Sequence, residues 1–118
     1  MARKDELGKL GEEQAALFLQ GAGYTILTRN WRCAEGEIDL VVQRGAAVVF
    51  VEVKTRSSLR FGHPFEAVTV KKLARMRRLA AAWCAAAERW PRQIRLDVIA
   101  VIAPRGRESV IEHLEGVF

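Results

Sequence analysis

The run GEIDLVVQRGAAVVFVEVKTR, residues 36–56, decides the fold. Its halves, residues 36–43 and 47–56, are dominated by Val, Ile, Leu and Phe, which suit a pleated surface, and they flank Arg44, Gly45 and Ala46. Two such runs around a glycine predict a β-hairpin. With Gly45 and Ala46 at the centre of a type II′ turn, which takes Gly first, Arg44 pairs with Ala47, and the residue numbers of every later pair sum, as 44 and 47 do, to 91. Asp39 then faces Glu52, Val41 faces Phe50 and Glu37 faces Lys54. Because strand side chains alternate, Glu37, Asp39, Glu52 and Lys54 project from one face, and Ile38, Leu40, Val49, Val51 and Val53 from the other.

Opposed carboxylates on neighbouring strands, with Cβ atoms about 5 Å apart, repel by up to about 1 kcal/mol. Among valines and a phenylalanine the cost rises, because desolvation disfavours two ionised acids in one place. A hard divalent cation, Mg²⁺ or Mn²⁺, compensates, taking oxygen from one or two carboxylates and completing its shell with water and phosphate oxygens. Lys54 is placed to orient or deprotonate an attacking water, or to steady charge building on a phosphate. The competing reading is a plain Glu52–Lys54 ion pair on a solvated face with Asp39 merely hydrated, but VVFVEVK is too apolar for an exposed edge strand. Glu37 is available either to Lys54 or to the cation.

Upstream, residues 5–20 read as a helix stopped by Gly21 and Gly23, with Leu7, Leu10, Gln14, Leu17 and Phe18 along one side. Residues 24–31 contain YTILT and predict a first strand. Downstream, residues 66–90 switch to helical period: Leu73, Met76, Ala80, Trp83, Ala87 and Trp90 make one apolar stripe, read as core, with Lys71, Arg75 and Arg78 opposite. Pro91 ends that helix, residues 94–102 read as a mostly buried strand, and Pro104 to Arg107 turn into a last strand at 109–114. The order α-β-β-β-α-β-β predicts an α/β (α+β) fold, a central mixed β-sheet flanked by helices, within a single domain, residues 1–118.

Composition bounds the function. No apolar run approaches the roughly 20 residues that span a bilayer, and the N-terminus lacks a secretory apolar stretch, so a cytoplasmic protein with no membrane partner is expected. Cys33 and Cys84, far apart and without CxxC spacing, read as reduced structural thiols. From Lys54 to Arg78 eight basic residues meet one acid, Glu66, so this segment carries +7 and the rest of the chain −2. That is the electrostatic footprint of a polyanion binder, with Arg56, Lys71, Lys72, Arg75 and Arg78 as candidate phosphate contacts. His63 reads as an ordinary loop histidine or a proton relay, His113 has no evident partner, and Asp97 is expected to pair with a basic side chain.

Asp39 followed by Glu52-Val53-Lys54 resembles the PD-(D/E)xK nuclease motif, with Ile38 where the motif's name has proline. Gly8-x-x-Gly11-Glu12-x-x-Ala15, Gly36-Glu37-Ile38-Asp39, the run from Val49 to Arg56, Phe61-Gly62 and Glu66-Ala67-Val68 are together similar to the UPF0102 (YraN-like) family, from about Gly8 to Val101. The resemblance implies a restriction-endonuclease-like fold related to Holliday junction resolvases, in which a first-helix glutamate, here Glu12, joins the strand acids at the metal. On the helical wheel Glu12 lies beside Ala15, Ala16 and Leu19, away from the stripe that contains Leu10 and Leu17. Two functions follow as expectations. One is a Mg²⁺- or Mn²⁺-dependent endonuclease on DNA, branched or structured DNA included, with Asp39, Glu52 and Glu12 as metal ligands and Lys54 assisting the water. The other is a non-catalytic nucleic-acid-binding accessory protein that keeps the fold. A homodimer is the default assembly.

Overall fold

A computed structural model of the protein describes residues 2–117. Helix α1 (Ala2–Gly21) is followed by strands β1 (Thr25–Cys33), β2 (Gly36–Arg44) and β3 (Ala47–Arg56), a 3-10 turn at Pro64–Ala67, helix α2 (Val70–Ala87), and strands β4 (Gln93–Ile102) and β5 (Val110–Leu114). The five strands form one sheet in sequence order, antiparallel except for the parallel pair β3 and β4. This is the α+β arrangement expected of a restriction-endonuclease-like fold. The hairpin takes the expected register: Arg44 pairs with Ala47, Val41 with Phe50 and Leu40 with Val51. Gly45 has φ 61°, and Ala46 is not among the residues with positive φ, as the type II′ reading requires.

Each face of the sheet is covered by one helix. Leu40, Val42, Val49, Val51, Ile99 and Val101 pack beneath Ala15, Ala16 and Leu19 of α1. On the other face, Val41, Val48, Phe50 and Leu96 pack beneath Leu79, Ala80, Trp83 and Cys84 of α2. Ile38 belongs to this second layer, not to that of Leu40. Strict alternation therefore fails across Asp39.

The packed side of α1 is not the one that carries Leu10, Leu17 and Phe18. Leu10, Leu17 and Phe18 are exposed, while Gly11, Ala15, Ala16 and Leu19 face the sheet. Size explains this choice: a Cβ on Gly11 would lie 1.9 Å from Thr55 Oγ1 and 2.8 Å from Thr55 Cβ, so only a side lined by small residues lets α1 lie this close to β3.

Helix α2 is also shorter than expected. Thr69 caps its start, with Oγ1 accepting the Lys72 N–H, and Glu88 ends it at φ 53°. Trp90, assigned to the core by period, is 74% exposed. The residue before a proline is disfavoured in helical conformation, so the chain leaves the helix before Trp90 can join the stripe. Trp83 does occupy the core, edge-on to Phe50 and donating to Thr28 Oγ1 at 3.1 Å. Cys84 is buried and Cys33 packs at the margin of the same cluster, both as free thiols.

Asp97 is fully buried in β4. Its Oδ1 accepts from Arg95 Nε and Gly116 N–H, both at 2.9 Å, and its Oδ2 from Arg95 at 2.8 Å and His113 at 2.6 Å. The expected basic partner is thus Arg95, and His113, which showed none in the sequence, has Asp97. Burial opposes ionisation of Asp97, but the bonds from His113, Arg95 and Gly116 outweigh it and hold the carboxyl below its ordinary range. His63 is a cap: its Nδ1 accepts the Phe65 N–H at the 3-10 turn and its Nε2 meets Glu112 of β5.

Candidate active site

The β2–β3 ladder ends at Leu40 and Val51. Beyond that pair β2 remains attached to β1, through Ile38 with Trp31 and Glu37 with Arg32, while β3 remains attached to β4, through Glu52 with Val98 and Lys54 with Ala100. The sheet forks, and Asp39 sits in the fork. Its Oδ2 accepts the Val53 N–H at 2.7 Å, so a side chain does there what a strand carbonyl does in an unbroken ladder. The expected Asp39–Glu52 ladder pair is therefore replaced by a side-chain bridge one residue further along β3.

The four strand residues nonetheless meet. Glu37, Asp39, Glu52 and Lys54 line a cleft of about 370 Å³, closed on its far side by Lys72, Arg75, Met76 and Leu79, which form a single stripe of α2. Lys54 Nζ lies 3.0 Å from Glu52 Oε1. Glu37 pairs with Arg32 rather than with Lys54. From the other side of the sheet, Glu12 brings a carboxylate oxygen to within 4.8 Å of those of Glu37 and Asp39. Glu12 is held by Asn30, whose Nδ2 donates to Oε1 at 2.8 Å.

This crowding shows in the acid–base balance of the site. Burial pushes the Asp39 carboxyl up to about 7 from its ordinary 3.8; the charge of Glu52 adds to the shift, the Val53 N–H opposes it, and Glu12 and Glu37 push it further up. The donor set is all oxygen, as Mg²⁺ and Mn²⁺ prefer, and 4.8 Å is a little more than the roughly 4.2 Å between opposite ligands of an octahedral Mg²⁺. The residues fit such a cation, with Glu12, Glu37 and Asp39 closest together and Glu52 adjoining.

The candidate phosphate contacts divide. Lys72 and Arg75 line the cleft, although Arg75 was expected on the side of α2 opposite the apolar stripe. Its Nε donates to the Glu35 carbonyl at 3.2 Å, and Arg78 Nε lies 3.3 Å from a Glu35 carboxylate oxygen, so both also fasten the β1–β2 turn to α2. Lys71 and Arg56 are exposed outside the cleft. Asn30 and Arg32, which position Glu12 and Glu37, went unnoticed in the sequence. Asn30 carried a signal, because asparagine is depleted in strands but tolerates the left-handed region that it occupies at φ 48°.

A family model described as Uncharacterised protein family UPF0102 matches residues 11–101, a span that holds every residue of this cleft. The chain belongs to the UPF0102 family. A UPF0102 protein of Beutenbergia cavernae is 53% identical over 117 residues, covering 99% of both chains. One of Pseudarthrobacter chlorophenolicus is 55% identical over 118 residues, covering 99% of this chain and 89% of its own. One of Frankia alni is 52% identical over 118 residues, covering 100% and 98%. The UPF0102 match begins at Gly11, the residue that lets α1 approach β3, and includes Glu12, Asp39, Glu52 and Lys54. Among the described residues no helix is long and apolar enough to cross a membrane.

Proposed function

We propose that this UPF0102 protein is a Mg²⁺- or Mn²⁺-dependent endonuclease that hydrolyses phosphodiester bonds of DNA, structured or branched DNA included, in the cytoplasm. The observation that carries the reading is the forked sheet, which gathers Glu12, Glu37, Asp39 and Glu52 beside Lys54 in a cleft walled by Lys72 and Arg75. Glu12, Asp39 and Glu52, with Glu37 beside them, would hold the cation. When bound, the cation supplies Lewis acidity, drawing charge from a phosphoryl oxygen and making water a stronger acid. Lys54, anchored by Glu52, holds the water or offsets charge on the phosphate. Lys72 and Arg75 face the acids across the cleft and attract the flanking phosphates. A two-fold dimer belongs to this proposal, since it presents one site to each of two strands.

The test is incubation of the purified protein with linear, nicked and four-way-junction DNA. Cleavage with Mg²⁺ or Mn²⁺ and none in a chelator is the expected result. No cleavage with either metal, together with a salt-dependent DNA affinity that survives Asp39→Ala and Glu52→Ala, would establish the accessory-protein alternative instead. Absence of DNA binding at low salt would remove both. A further expected outcome concerns Lys72: Lys72→Ala weakens binding to all sequences alike and flattens the slope of log K against log salt by about one. A salt titration of wild type and variant measures it.

A further inference from the structure

Phe61 is 94% exposed, the most exposed of the large apolar side chains in the described residues, and it is not a stray surface residue. Gly62 N–H donates to the Leu59 carbonyl at 3.0 Å, closing a turn that displays Arg60 and Phe61 at its two central positions. Arg60 lies over the Phe61 ring, 5.8 Å from its centroid. Gly62, at φ 98°, sits against the Glu66 carboxylate, which in turn accepts the His63 N–H, and His63 is fastened to Glu112. The turn is thus built and anchored at its base, yet its aromatic tip packs on nothing that would bury it.

Its position and charge name the occupant. The loop leaves β3 two residues after Lys54 and returns at Val68, which lines the acid cleft. Phe61 is seven residues from each, so it lies within about 25 Å of both. The Arg56 carbonyl accepts the Ala103 N–H at 2.8 Å, bringing the β4–β5 turn to the same end of the sheet. The two loops together, residues 56–62 and 104–109, carry Arg56, Arg60, Arg105 and Arg107 against one acid, Glu108.

An exposed aromatic ring with a guanidinium over it, on a loop whose other charged residue is also an arginine, is the pairing that holds a nucleobase and its phosphate: the ring stacks, the guanidiniums neutralise. A base inside a duplex has both faces already covered, and opening the stack costs a few kcal/mol, whereas an unpaired base offers its face freely. Resting on the nuclease reading above, we propose that Phe61 stacks on an unpaired base of the DNA, so that this loop selects DNA with a locally unpaired nucleotide for the acid cleft.

The experiment measures binding in chelator, so that cleavage plays no part, to a fully paired duplex and to the same duplex carrying one bulged 2-aminopurine. Wild type is expected to bind the bulged duplex about tenfold more tightly and to change the 2-aminopurine fluorescence. Phe61→Ala removes both effects while its affinity for the paired duplex stays within about twofold, and Phe61→Trp restores them. A Phe61→Ala variant that keeps the preference, or that loses affinity equally on both duplexes, overturns the proposal. So does a bulge preference untouched by Phe61→Ala when that variant instead abolishes binding to anionic phosphatidylglycerol vesicles or converts a dimer to a monomer. Wild type that cuts DNA without preferring the bulge overturns this inference alone. Wild type without DNA affinity overturns it together with the nuclease reading.

Discussion

Asp39→Asn is expected to make the metal-free protein more stable at pH 8 while abolishing its stabilisation by Mg²⁺ or Mn²⁺. The folded-state value of Asp39 is about 7 against an ordinary 3.8, so between these values the folded protein binds more protons than the unfolded chain. Stability from this group is fully present below about pH 4 and is lost as pH rises through about 7. At 1.36 kcal/mol per pH unit the loss amounts to at most about 4 kcal/mol. Asparagine has no charge to desolvate and leaves this window flat. Above pH 7 an added cation is expected to bind the folded wild type and recover stability by mass action, and to do so weakly or not at all in the variant. Urea denaturation of both proteins from pH 4 to pH 8, with and without metal, measures all of this. A wild-type profile level across that range, or a variant that follows the wild-type slope, counts against the account.

Asp97→Ala is expected to cost about 3–5 kcal/mol, because it leaves Arg95 and His113 facing a buried gap where their shared acceptor stood. The Arg95–Glu115 contact, 3.0 Å long but with Glu115 half exposed, gives the contrast. Glu115→Ala is expected to cost under about 1 kcal/mol. Equilibrium denaturation at neutral pH separates the two. Asp97 acts in a different pH window from Asp39: its carboxyl is depressed, so its contribution is present above the ordinary carboxylate range and is lost as pH falls through the lowered value. Equal effects of Asp97→Ala and Glu115→Ala would show that the buried network is not the source.

Local chemistry made much of this legible in the sequence. A glycine-led two-residue turn fixes the hairpin register as far as Leu40 and Val51, and just beyond that pair Asp39, Glu52 and Lys54 line one cleft, as their place in the sequence suggests. What escaped was set by longer-range geometry. The fork depends on β2 following β1 and β3 following β4, which no property of residues 36–56 announces. The buried side of α1 is not its most apolar one: Leu10, Leu17 and Phe18 are more apolar than Gly11, Ala15 and Ala16, yet close approach to β3 is decided by bulk. Trp90 kept helical period in the sequence after the backbone had left the helix. His113 found its partner only because β5 lies beside β4.

Gly11 sets the spacing of the acids in the proposed cation site without contributing an atom to it. The next residue is Glu12, and the hydrogen atom that Gly11 presents to Thr55 determines how deeply α1 sinks and how far its carboxylate reaches. A methyl group at position 11 would lift the helix like a shim under a hinge, leaving every acid in the sequence and spoiling the aperture between them. An inventory of acids is therefore a poor guide to which relatives keep this cleft; the residue to inspect first is the one with no side chain.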